Sequence, residues 1–195
     1  MPIGYAKLEK DVADWYVKAK MDNVNGSSQD FADLWSDGYK AATSMGMAQG
    51  GIPGNSIVAP LDASGINAAL KKAMDSLYDG VVESSMGIFS PVGAATIAYW
   101  SPAMPPGGIS PMPPPPPAAI PAPGTMIIDP GFAHITLIAQ AWVDHWNLDD
   151  VEPADKAKQI VDAHKAHTDA IMGMWIGMIP GVPPVPHVAT WTGIK

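Results

Sequence analysis

The sequence predicts a mainly α-helical protein of three related helix-plus-extended-segment units, with a proline-rich arm between the second and the third. Three observations carry that expectation. Apolar residues recur at helical spacing through much of the chain, a pattern of Asp, Gly and Pro recurs behind three of the helices, and 11 prolines crowd the 23 residues from Pro102 to Gly124. Three regions follow: 1–101, helical and holding two units; 102–124, the arm; and 125–195, helical and holding the third unit.

The first helix is expected from about Pro2 to Met21, with Leu8, Val12, Trp15, Tyr16 and Ala19 on one face and Lys7, Lys10, Asp11, Asp14 and Lys18 largely on the other. Asn23-Val24-Asn25-Gly26 stops it. A second starts after Ser27 or Ser28 as N-cap and shows Phe31, Leu34, Trp35, Tyr39 and Ala42. A third starts at Ser64 and shows Ile66, Ala69, Leu70, Ala73, Leu77 and Val81. Beyond the arm, Phe132, Ile135, Ile138, Ala139, Trp142 and Trp146 fit a fourth helix, although Ile135 to Ile138 also suits the start of a strand. A fifth is expected from about Glu152 to Ile179, with Asp149, Asp150 and Pro153 suited to its start.

Asp33-Leu34-Trp35-Ser36-Asp37-Gly38-Tyr39 matches Asp75-Ser76-Leu77-Tyr78-Asp79-Gly80-Val81 at an offset of 42, and Asp169-Ala170-Ile171 continues the series. Behind each comes an apolar residue and Gly (Met45-Gly46, Met86-Gly87, Ile176-Gly177), then an apolar-proline break (Ile52-Pro53, Phe89-Ser90-Pro91, Ile179-Pro180). Thr96 to Trp100 aligns with His187 to Trp191, and both read as short extended segments. The unit is therefore helix, Gly-Pro corner, extended segment, spanning 30–60, 65–101 and 160–192.

The arm, with Pro113 to Pro117 uninterrupted, favours polyproline II and reaches roughly 60–70 Å at about 3.1 Å per residue. It holds no charge and intersperses Met104, Ile109, Met112 and Ile120 among its prolines, which suits docking against another chain better than solvation.

Charge excludes several partners. There are 11 Lys, 16 Asp, 3 Glu and no Arg, for a net charge of −8, a balance that repels phosphate backbones and lacks the forked donor of base recognition. Nucleic acid is not an expected partner. With no Cys, thiolate metal sites and cysteine nucleophiles are ruled out. The N-terminus has lysines and acids where a signal peptide has an apolar run, so cytoplasmic synthesis is expected. The uncharged stretches 84–128 and 170–194 are broken by proline too often to supply the roughly 20 apolar residues of a membrane span.

Candidate chemistry is sparse. His164 and His167, three residues apart on one helix face and flanked by Asp162 and Asp169, could begin a zinc or iron site, yet no matching pair stands on another helix. The expectation is no metal and no cofactor, with the histidine pair solvated or facing another subunit. Asp144 to Glu152 concentrates oxygen ligands but lacks the Gly and the terminal Glu of a calcium loop, and its acids suit a helix N-terminus. Gly-x-Ser-x-Gly, phosphate-cradling and dinucleotide-binding motifs are missing, so neither catalytic residues nor a small-molecule substrate are expected. Gly173, Gly177 and Gly181, at four-residue intervals, suit close helix packing or a subunit contact. Trp15, Trp35, Trp142, Trp146 and Trp175 read as core. Trp100 and Trp191, which follow extended segments, are the best candidates for an interface, together with Pro113, Pro117 and Ile120 of the arm.

These features point to a non-enzymatic assembly protein that binds copies of itself or fixed neighbours. The layout also resembles small structural proteins of tailed-bacteriophage particles, in which an Ala-Tyr-Trp segment such as Ala98-Tyr99-Trp100 runs into a proline-rich stretch ending like Pro121-Ala122-Pro123-Gly124. The resemblance covers 79–131 and implies a virion component of the tail, baseplate, neck or capsid-associated kind; it transfers no functional residue. Two readings from other classes are a small metal-dependent enzyme using His164 and His167, and a membrane-active protein inserting residues 170–179.

Overall fold

The second helix shows how local signals set the elements. In the computed structural model, which describes residues 4–22, 27–44, 62–79, 85–100, 125–129, 131–147, 151–179 and 185–194, Ser27 Oγ accepts from the Asp30 N–H at 3.0 Å. That bond satisfies one of the N–H groups a helix start leaves open, and α2 then runs Ser28–Thr43. Its apolar spacing turns Phe31, Trp35 and Tyr39 inward, all fully buried. Helix α1 spans Tyr5–Asp22 and buries Leu8 and Val12; α3 spans Ser64–Tyr78 and buries Ile66, Leu70 and Met74. Gly38 of α2 faces α1, where an added Cβ would lie 2.6 Å from Leu8 Cδ1 and turn that side chain aside.

Helix α4, Met86–Trp100, overturns an expectation. Thr96 to Trp100 is the last turn of a helix, not an extended segment, and Pro91 sits inside that helix. Pro91 and Gly87 are both exposed, so the carbonyl that loses its N–H partner to Pro91 is within reach of water. Ser90 Oγ meanwhile donates to the Met86 carbonyl at 2.6 Å. The helix is held by its buried face, where Phe89, Val92, Thr96 and Trp100 follow one another at helical spacing. Gly93 lets α4 lie against the next helix, since a Cβ at 93 would sit 2.5 Å from the Ile135 carbonyl oxygen.

A 3-10 turn over Phe132–His134 leads into α5, Ile135–Asn147, so Ile135 to Ile138 begins a helix and not a strand. Helix α6 starts with Pro153 in its first turn and spans Pro153–Ala170. It stops there, short of the expected Ile179. The chain from Met172 to Ile179 is instead strand β2, paired antiparallel with β1 (Thr125–Asp129) on one side and β3 (Val185–Thr192) on the other, in the order β1-β2-β3. Gly173 and Gly177 each disfavour a helix by about 1 kcal/mol relative to Ala, and strand pairing takes up the backbone groups that a helix would have bonded internally. The spacing of Gly173 and Gly177 therefore marks no helix face.

Elements from both sides of the arm share one core: α1 packs on α6 and α4 on α5, around Trp35, Trp100 and Trp142. The sheet is fastened to the end of α6, where Ile194 N–H donates to the Thr168 carbonyl at 2.8 Å and Gly193 N–H to the Ile171 carbonyl at 2.7 Å. Of the aspartates aligned across the three units, Asp37 lies mid-helix, Asp79 caps α3, and Asp169 is the penultimate residue of α6. The second half of the first unit, 45–60, and the whole arm, 102–124, lie outside the described residues.

Candidate functional site

Helix α6 places histidine where its period calls for apolar residues. Ala157, Ile160, Val161, His164, His167 and Ile171 form one buried stripe, so both imidazoles enter the core with no exposed surface. The His164 ring is boxed by aromatic rings, with centroids 5.0 Å from Trp35, 5.2 Å from Tyr39 and 6.2 Å from Trp142. Neither of its nitrogens has a hydrogen-bond partner. Burial, with the neighbouring His167 adding to it, pushes the His164 imidazole down to about 3. It is a neutral ring at any ordinary pH.

His167 sits one helical turn on, its ring centroid 5.3 Å from His134, and its nitrogens are likewise unpartnered. Gly131, in the left-handed region at φ 72°, closes the other side: a Cβ there would lie 3.4 Å from His167 Cε1. Burial, then His134, brings His167 down to about 4.

His145 is enclosed differently. Its Nδ1 lies 2.9 Å from the Lys156 carbonyl, which only accepts, so Nδ1 carries the proton and Nε2 accepts from the Tyr16 hydroxyl. Both nitrogens are satisfied, and burial lowers this imidazole to about 4 as well.

Buried neutral imidazoles at hydrogen-bond distance from a hydroxyl or carboxylate can serve as bases, but His164 and His167 have no such neighbour. Among the described residues no group of three or more His, Asp or Glu could hold a metal ion. The two imidazoles raised as a possible metal pair thus face different surroundings, His164 an aromatic box and His167 the 3-10 turn.

Of the residues expected at an interface, Trp100 lies in the core at 1% exposure, its Nε1 donating to the Tyr39 hydroxyl at 3.0 Å. Its place at the end of the buried face of α4 accounts for this, since the extended segment expected to present it does not form. Trp191 belongs to β3, in register with Gly173 of β2. Pro113, Pro117 and Ile120 lie outside the described residues. Residues 170–179 are the end of α6 and strand β2, and no described helix is long and apolar enough to cross a membrane.

Two surface features stand out among the described residues. A groove of about 690 Å³ runs between α1 and α2, floored by Leu8, Trp15 and Leu34, and on its rim Lys7 is tied to Asp11. Around the start of α5, Phe132 is 65% exposed and Leu137 45%, while Met172 at the head of β2 is 50% exposed. Sequence reasoning singled out His164 and His167 as a pair but missed their burial and the approach of His134, although Ile160, Val161 and Ile171 set a buried period into which both fall.

Comparison with protein-family models, curated proteins and solved structures finds no match to the chain.

Proposed function

We propose that the chain is a non-enzymatic structural protein that assembles with copies of itself or fixed neighbours in a large particle. One contrast carries this reading. Three of the five histidines, His145, His164 and His167, are shut inside the core, while large apolar side chains, Phe132, Leu137 and Met172, face outward. Exposed apolar residues of that size are the raw material of protein contacts, whereas a base with no access to solvent meets no substrate. The acidic surface with no Arg and the uncharged arm fit the same role. The resemblance of 79–131 to tailed-bacteriophage structural proteins makes a virion component the assembly we favour.

Deleting residues 105–120 tests it. The expected product is a folded monomer by circular dichroism and light scattering, where the full chain forms a defined oligomer. A full chain that stays monomeric at high concentration, and that mass spectrometry does not find in any particle, would end the proposal.

A further inference from the structure

The histidine cluster has no part in the assembly reading, and its geometry is costly unless it is used. A neutral imidazole carries one donor and one acceptor, and His164 satisfies neither inside its box of Trp35, Tyr39 and Trp142. Protonated, it would hold a charge and two donors in the same place with nothing to receive them.

The titratable groups around the pair offer no relief. From α1 comes Tyr5, its hydroxyl 3.4 Å from Thr168 Oγ1; from α2, Tyr39; from α5, His145, behind Trp142; and from the 3-10 turn, His134. Each is a phenol or an imidazole, and none supplies a negative charge. On α6 itself Lys165 and Asp169 are exposed, and the ion pairs of the described residues all join Lys to Asp.

We propose that the junction of α2, α5 and α6 is an acid-released latch, in which protonation of His164 and His167 parts α6 from its neighbours and frees the sheet fastened to its end. The coupling to the sheet is short. Thr168, next to His167, takes the Ile194 N–H, and Ile171 takes the Gly193 N–H, so the last turn of α6 cannot move without loosening the end of β3.

The direction follows from linkage. Both imidazoles have folded values below the 6.5 of an open imidazole, at about 3 and about 4, so the closed junction is fully favoured above pH 6.5 and loses ground as pH falls. Each ring shifts the closed-to-open ratio by up to about tenfold per pH unit in that window, and the pair by up to about a hundredfold.

The test is a titration of the full chain from pH 7.5 to 3.5, following near-ultraviolet circular dichroism and tryptophan fluorescence beside far-ultraviolet circular dichroism. The latch predicts a reversible loss of the tertiary signal between pH 6 and 4, with helical signal retained, and a midpoint at least one pH unit lower in the H164F/H167L variant. An unchanged midpoint in that variant, or helical and tertiary signals lost together in the parent, would overturn it. Should the double variant lack tertiary signal at pH 7.5, nitrogen-15 correlation spectra of the parent imidazoles decide. Rings that stay neutral until the transition support the latch, and a ring titrating near pH 6.5 in the closed protein overturns it.

Discussion

The indole Nε1 of Trp100 donates to the hydroxyl of Tyr39 at 3.0 Å, joining the end of α4 to the middle of α2 in the core. The Tyr39 ring also lies 5.2 Å from both Tyr99 and His164, so one phenol ties three helices together. Contacts of this kind are long in sequence and invisible to local pattern. They decide which faces of the helices meet.

Tyr39→Phe keeps the ring and removes the acceptor, leaving the buried Trp100 N–H with no partner. The expected loss is about 1–3 kcal/mol of unfolding free energy, the desolvation penalty of an orphaned donor. Urea unfolding of the single variant, of Trp100→Phe and of the pair measures it. The double variant should cost less than the sum of the singles, and strict additivity would mean that the bond contributes nothing.

Glycine positions give a prediction of opposite signs. A Cβ at Gly93 would meet the Ile135 carbonyl oxygen at 2.5 Å, backbone that cannot turn aside, so Gly93→Ala must push α4 off α5 at about 1–3 kcal/mol. At Gly65 in α3 a Cβ meets nothing within 4 Å, and Gly65→Ala should stabilise by up to about 1 kcal/mol through helix propensity alone. Thermal unfolding of the two variants should therefore move in opposite directions.

What the sequence made legible is whatever is local. Ser27 marks the start of α2 by capping it and Pro153 that of α6 by its fixed φ, while α3 begins at Ser64 as expected, its Ser64 N–H donating to Asp62 Oδ1. Two elements were misread because local chemistry pointed the wrong way. Pro91 reads as a break, yet it stands on an exposed face whose opposite side is held by Phe89, Val92 and Trp100. Met172 to Ile179 continues the apolar run of α6 at helical spacing, and only its pairing with β1 and β3 makes it a strand. His164 and His167 were visible as a helix-face pair, but polarity suggested a ligand or a wet surface. His164 is covered by Trp35 and Trp142, which arrive from α2 and α5, and His167 by the 3-10 turn that carries His134.

The tyrosines make the last prediction, at the alkaline end. The chain has five, and burial raises Tyr5, Tyr16, Tyr39, Tyr78 and Tyr99 above the ordinary 10. The effect is largest where the hydroxyl is enclosed: Tyr5 and Tyr39 lie in the core, and Tyr16 donates to His145. A phenol whose folded value exceeds its unfolded one contributes stability that is complete below pH 10 and is lost as pH rises through the folded value, because the unfolded chain releases its proton first. With three such phenols the unfolding free energy should fall by up to about 4 kcal/mol per pH unit above pH 10. Absorbance at 295 nm is the check. At pH 10.5 the native chain should show far less tyrosinate than the same chain in guanidinium, with the remainder appearing in one step as the circular dichroism is lost. Ionisation of all five near pH 10 with the fold intact would mean that the hydroxyls of Tyr5, Tyr16 and Tyr39 are open to solvent, against the packing of α1, α2 and α5 described above.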